Sequence, residues 1–158
     1  MIEVKVLKVL FDFTTASAVV FLSDMEEKKV LPIWIGLFEA QAIQAALRGE
    51  IFSRPLTHDL LKNVIESSGG KLKYVLIHKV EHNTYFSRIF VDISGAVIDI
   101  DARPSDAICL ALKSGAKICV SKEIYQKFED ILQMEEKMKK DFVSNFLKSI
   151  DKEDLKKA

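Results

Sequence analysis

KLKYVLIHKVEHNTYFSRIFVDISGAVIDIDARPSDAICLALKSG, residues 71–115, decides the fold class. Residues 71–81 and 84–93 read as two long strands, joined by a tight turn at His82-Asn83. A second turn at Ser94-Gly95 leads into strand 96–101. Connections this short join antiparallel neighbours, because a parallel crossover needs a dozen residues or more. Residues 104–114 then form a helix that is apolar nearly all round and is expected to be deeply buried. Hairpins feeding a helix describe α+β, not a doubly wound parallel sheet.

The flanks extend this reading. Strands are expected at 2–13, 16–22 and 30–35, with Pro32 pushing the third toward an edge or a bulge. Residues 37–48 form a helix stopped by Gly49. The next helix covers about 55–67, with Leu56, Leu60, Leu61, Val64 and Ile65 as its buried face, and Gly69-Gly70 ends it. After a short strand at 116–120, Ser121 caps a last, longer helix whose apolar positions are Ile124, Phe128, Ile131, Met138, Phe142 and Phe146. The polar end, Asp151 to Ala158, is expected to fray. The architecture is therefore α+β: a mixed, largely antiparallel sheet with three packed helices and a C-terminal helical extension. The domain covers 1–120 and the extension 121–158.

The chain has 158 residues, 49% of them hydrophobic and 29% charged, which suits one globular domain with a real core. Its 23 basic and 23 acidic residues cancel, so no global field steers a polyanion and nucleic-acid binding needs a local patch. Cys109 and Cys119 have no metal-ligand spacing and read as reduced core thiols. The N-terminus runs straight into a strand, and no apolar run reaches membrane-spanning length. The expectation is a cytoplasmic protein without a membrane partner.

Two stretches nearly repeat each other: Arg54-Pro55-Leu56-Thr57-His58-Asp59 and Arg103-Pro104-Ser105-Asp106. Each places Arg-Pro at a helix mouth, where proline suits the first helical position, and an aspartate near the positive end of the helix dipole. Only four of the 23 basic residues are arginines (Arg48, Arg54, Arg88, Arg103), and two stand here. An arginine among lysines suggests a planar, bidentate contact with carboxylate or phosphate. Two capped helices whose arginines pair with their own aspartates explain the same pattern. The functional reading makes Arg54, Asp59, Asp101, Arg103 and Asp106 one spatial site.

Other candidates are Glu39, the lone carboxylate on the core-facing side of helix 37–48 beside Ile43 and Ala46, and His58, which diverges from Asp59 by about 100° and so forms no dyad with it. Asp99 and Asp101 share one strand face roughly 7 Å apart. With Asp106 they offer ligands for a divalent metal, Mg²⁺ or Mn²⁺, or else form an ordinary solvated face. Basic and aromatic residues interleave in hairpin 71–93, a pattern that suits either a nucleic-acid backbone or a half-buried sheet.

Four ordered motifs resemble the bifunctional nuclease domain family: Leu31-Pro-Ile-Trp-Ile-Gly36, Glu39-Ala40-x-Ala42-Ile43, Arg54-Pro55-x-Thr57-His58-Asp59-Leu60 and Asp101-Ala-Arg-Pro-Ser-Asp-Ala-Ile108. The resemblance covers about residues 3–125 and implies cleavage of DNA and RNA. Some bacterial members carry an appended helical segment resembling the UvrB–UvrC interaction motif of nucleotide excision repair. The tail from Ile124 does not match that motif, so a repair partner is not carried over. On this reading Glu39, Asp59, Asp101 and Asp106 hold a metal or a water, Arg54 and Arg103 clamp phosphate oxygens, and His58 protonates the leaving oxygen. The competing reading is a non-enzymatic module whose Arg-Pro mouths bind an anion or hold a subunit interface. A homodimer or higher homo-oligomer is expected, from the amphipathic last helix and the apolar side chains around Trp34, Leu37 and Phe38.

Overall fold

A computed structural model describes residues 1–157, with side chains through residue 148 except that of Phe146. In chain order the elements are β1 (Ile2–Asp12), β2 (Ser17–Asp24), β3 (Lys29–Gly36), α1 (Leu37–Leu47), α2 (Thr57–Ser67), β4 (Gly70–Glu81), β5 (Thr84–Ile93), β6 (Ala96–Ala102), α3 (Pro104–Ser114), β7 (Lys117–Val120), α4 (Lys122–Tyr125), β8 (Glu129–Asp130) and α5 (Ile131–Lys157). One eight-stranded sheet runs β6-β5-β4-β7-β1-β2-β3-β8. Every pairing is antiparallel except β4 with β7, so the sheet is mixed and the class is α+β.

The β4–β5 turn places His82 and Asn83 at φ 48° and 61°, the paired left-handed conformations of a two-residue hairpin. From edge strand β6 the chain returns through α3 to β7 in the middle of the sheet. That crossover lays α3 across the sheet, with α1 and α2 packed against it. Its apolar circumference is used in full: Ala107, Ile108, Cys109, Leu110 and Ala111 are all buried. They share one core with Val20, Leu22, Ile43, Val75, Ile77 and Val91. A smaller cluster of Val19, Phe21, Val30 and Met134 forms separately, joined by Ile131 at the start of α5.

Several expectations need correction. The last helix is not continuous: Ser121 Oγ accepts from the Ile124 N–H at 3.2 Å, but it caps only the short α4, and β8 intervenes before α5. The apolar spacing that suggested one helix served two purposes, because Ile124 and Phe128 belong to the main core. The α2 helix starts at Thr57, so Pro55 stands before the cap and not in the first turn. Finally, Leu60, Leu61 and Val64 do not face the core: they are 58%, 39% and 54% exposed. The backbone expected to fray from Asp151 instead belongs to α5 as far as Lys157, while Ala158 and the side chain of Phe146 lie outside the described residues.

Ile108 is fully buried at the centre of α3. Its truncation to alanine is expected to cost about 2–5 kcal/mol, read as the shift in the urea unfolding midpoint at constant slope.

Candidate functional site

Three helices bring their mouths to one region, and none uses a side-chain N-cap: the cap residues are Gly36, Leu56 and Arg103. Each instead carries an acid three residues after the cap, namely Glu39, Asp59 and Asp106. A carboxylate there faces the unpaired N–H groups and the positive end of the helix dipole. Asp59 shows the local logic, since its Oδ2 accepts from the backbone N–H of Leu56 at 2.9 Å.

Asp106 is the hub. Arg103 Nε donates to its Oδ2 at 2.7 Å and Nη2 to its Oδ1 at 3.1 Å, a bidentate pair. The Arg103 Nη1 donates to Glu39 Oε1 at 3.0 Å, tying α1 to the mouth of α3. From α2, His58 Nε2 lies 3.0 Å from Asp106 Oδ1. A carboxylate only accepts, so Nε2 carries a proton, and whenever the imidazole is neutral its lone pair is on Nδ1. The chain Glu39–Arg103–Asp106–His58 thus links all three helices. Burial works to raise Asp106, but the hydrogen bonds from Arg103 and His58 outweigh it and hold the carboxyl below its ordinary value. Arg103 is raised in turn, first by its bond to Asp106.

The arginine remains available. Its side chain is 64% exposed, and three of the guanidinium's five N–H groups are engaged, which leaves two pointing elsewhere. It lines a cleft of about 590 Å³ with Glu39, Pro104, Ser105, the hairpin residues Asn83, Thr84 and Tyr85, and Pro32 to Gly36 of β3. The cleft exists because β8 pairs with β3 only at Lys29 and Val30, leaving the rest of that strand edge open. Trp34, at the same opening, is 68% exposed. Glu39 Oε2 comes so close to Gly36 that a Cβ there would lie 2.2 Å from it, so any side chain at this position would displace the carboxylate.

The other candidates sit elsewhere. Asp59 Oδ1 accepts from Lys113 Nζ at 2.7 Å, and that bond is the largest cause of its lowered pKa. Arg54 makes no ion pair among the described residues. The two Arg-Pro motifs differ because Arg54 stands five residues before its acid and Arg103 only three. Only the closer spacing puts arginine at the cap. Asp99 is bonded by Arg88 across the β5–β6 ladder. Asp101 is exposed on the same strand. The trio Asp99, Asp101 and Asp106 does not form a ligand set, because no group of three or more His, Cys, Asp or Glu side chains among the described residues is placed to hold a metal ion. Sequence reasoning missed Lys113, whose signal was the one basic residue on a largely apolar helix. It also missed that Tyr85 and the β3 edge line one cleft, since they stand about fifty residues apart in the chain.

The family model of the bifunctional nuclease domain matches residues 20–133, and the chain belongs to that family. An uncharacterized protein of Mycobacterium tuberculosis is 34% identical over 122 residues, covering 77% of this chain and 73% of that protein. Bifunctional nuclease 1 of Arabidopsis thaliana is 26% identical over 114 residues, 70% of this chain but 35% of the plant protein. Bifunctional nuclease 2 of Oryza sativa subsp. japonica is 28% identical over 110 residues, covering 68% and 34%. No described helix is long and apolar enough to cross a membrane.

A carboxyl with a depressed folded pKa contributes stability that is fully present above its unfolded value, near 4, and is lost as pH falls through the folded value. The Asp106→Asn variant is therefore expected to be less stable near neutrality by about 1–3 kcal/mol. Its loss of stability between about pH 5 and pH 3 is expected to be shallower than in the parent. Urea midpoints across that range check both.

Proposed function

We propose that this protein is a nuclease that hydrolyses phosphodiester bonds of DNA or RNA in the cleft between β3, the β4–β5 turn and the mouth of α3. The observation that carries the proposal is Arg103. It is held from two sides by carboxylates yet mostly exposed, at a helix N-terminus that lines an open cleft. A fixed guanidinium with two unused N–H groups suits phosphate oxygens, and its charge is of most use as negative charge builds on them during attack. Family membership and the names of the plant relatives support the same chemistry.

Glu39 takes the role of base. Its Oε1 is engaged by Arg103, and its second oxygen accepts the proton of a water that attacks phosphorus. The bond to the leaving sugar oxygen breaks, and that oxygen takes a proton from solvent. Asp106 and His58 act through Arg103. The His58 side chain is 15% exposed and committed to Asp106, so it positions the carboxylate and does not protonate the leaving group. Trp34 offers an aromatic face on which an unpaired base stacks. Because the acids do not form a metal-ligand set, no step is assigned to a metal. Cytoplasmic location belongs to the same reading.

One observation favours the non-enzymatic alternative: Arg103 pairs with its own Asp106, as a purely structural cap would. Purified protein incubated with plasmid and with RNA, with Mg²⁺, Mn²⁺ or chelator, separates the two. Arg103→Lys is expected to lower cleavage by roughly 10²-fold or more while keeping the charge. Gly36→Ala, at φ −74°, fits its backbone and is expected to hold stability within about 1 kcal/mol while displacing Glu39 and reducing cleavage. No cleavage under any of these conditions supports the anion-binding module instead.

A further inference from the structure

We infer that the outward face of α2, continued by edge strand β6, is the surface on which a second copy of this chain docks. The α2 helix is strongly amphipathic, yet it is mounted the wrong way round. His58, Asp59, Lys62 and Ile65 lie on the side turned toward the protein, while Leu56, Leu60, Leu61 and Val64 are turned out and are 39–58% exposed. The inward side is fixed by polar bonds, His58 to Asp106 and Asp59 to Lys113. Rotating the helix to bury its leucines would break both. The apolar stripe therefore has to be covered by something outside this chain's own core.

The stripe does not stop at the helix. Side chains of Ile65 and Val91 converge on Gly70, at 3.2 and 3.1 Å from the position a Cβ would take. Val91 pairs with Ile98, and Ile89 with Ile100, in the β5–β6 ladder. Val91 and Ile89 are buried, so Ile98 and Ile100 share their side of the sheet, the side on which Ile65 of α2 packs, and remain 43% and 45% exposed.

Area and charge select the occupant. The exposed apolar side chains of α2 and β6 present on the order of 500 Å². That is at the upper end of the largest patch on a monomer and more than half of the roughly 800 Å² that each partner gives to a standard-size interface. The outward half of α2 carries no charge: Lys62 is bonded to Glu66 and Asp59 to Lys113, all away from the stripe. A neutral apolar stripe meets its own copy across a two-fold axis without opposing like charges, for example with Leu60 of one helix against Val64 of the other. The surface differs from the last helix and the Trp34 region, where self-association was expected from sequence. It also bears on the cleft, since the helix it clamps carries His58.

Sedimentation equilibrium of the full chain at micromolar concentration is expected to give twice the 17.9 kDa chain mass. Leu60→Glu with Val64→Glu is expected to give a monomer with an unchanged far-ultraviolet spectrum, because both side chains are already largely exposed and glutamate is a good helix former. Leu60→Ala with Val64→Ala, which adds no charge, is expected to weaken association at least tenfold. Phe142→Glu on α5 is expected to leave the dimer intact. A monomeric parent chain overturns the inference. So does a dimer that survives both α2 variants, and loss of the dimer in Phe142→Glu alone would move the interface to α5. None of these outcomes depends on nuclease activity.

Discussion

The carboxylate of Asp106, set in the first turn of α3 and bonded by Arg103 and His58, is the constraint on which the arrangement of the three helices depends. The two partners come from different parts of the chain, and each fixes something the apolar core leaves free. Burial of Ala107–Ala111 determines where α3 lies but not how its mouth is dressed. The Arg103 bridge to Glu39 sets α1 against that mouth, and His58 sets the rotation of α2. One carboxylate thereby converts general packing into a defined cluster beside a cleft.

The cost of this arrangement falls on α2. Its second polar anchor, Asp59 to Lys113, is partly buried, with the lysine side chain 10% exposed. Breaking such a pair would strand a charge in a poorly solvated place. The helix therefore keeps its polar side inward, and its leucines face out. Apolar burial usually decides how an amphipathic helix is rotated. Here two directional polar contacts do, and the unsatisfied apolar face becomes a property of the assembly.

Much of the fold was legible. The period-two runs and tight turns of residues 71–101 gave the meander, and the nearly continuous apolar surface of 104–114 placed α3 at the centre. What failed did so for identifiable reasons. Periodicity shows that α2 has an apolar face but not which way it points, because the anchors Asp106 and Lys113 lie more than forty residues away. The spacing of Ile124, Phe128 and Ile131 suited one helix, and only the pairing of Glu129 and Asp130 with β3 breaks it. For the site, Glu39 was visible as a carboxylate on a core face and Arg103 as a spared arginine at a cap. The near-repeat of the two Arg-Pro motifs misled, since a two-residue difference in spacing sends Arg54 and Asp59 away from the cluster.

The measurement that bears most directly on this account is the tautomer of His58, read from long-range proton–nitrogen correlations of the imidazole in the neutral state. A carboxylate hub at Asp106 predicts the Nε2–H form, retained in Arg103→Lys and lost to a mixture in Asp106→Ala. An Nδ1–H form in the parent, or a spectrum unchanged by Asp106→Ala, would contradict it.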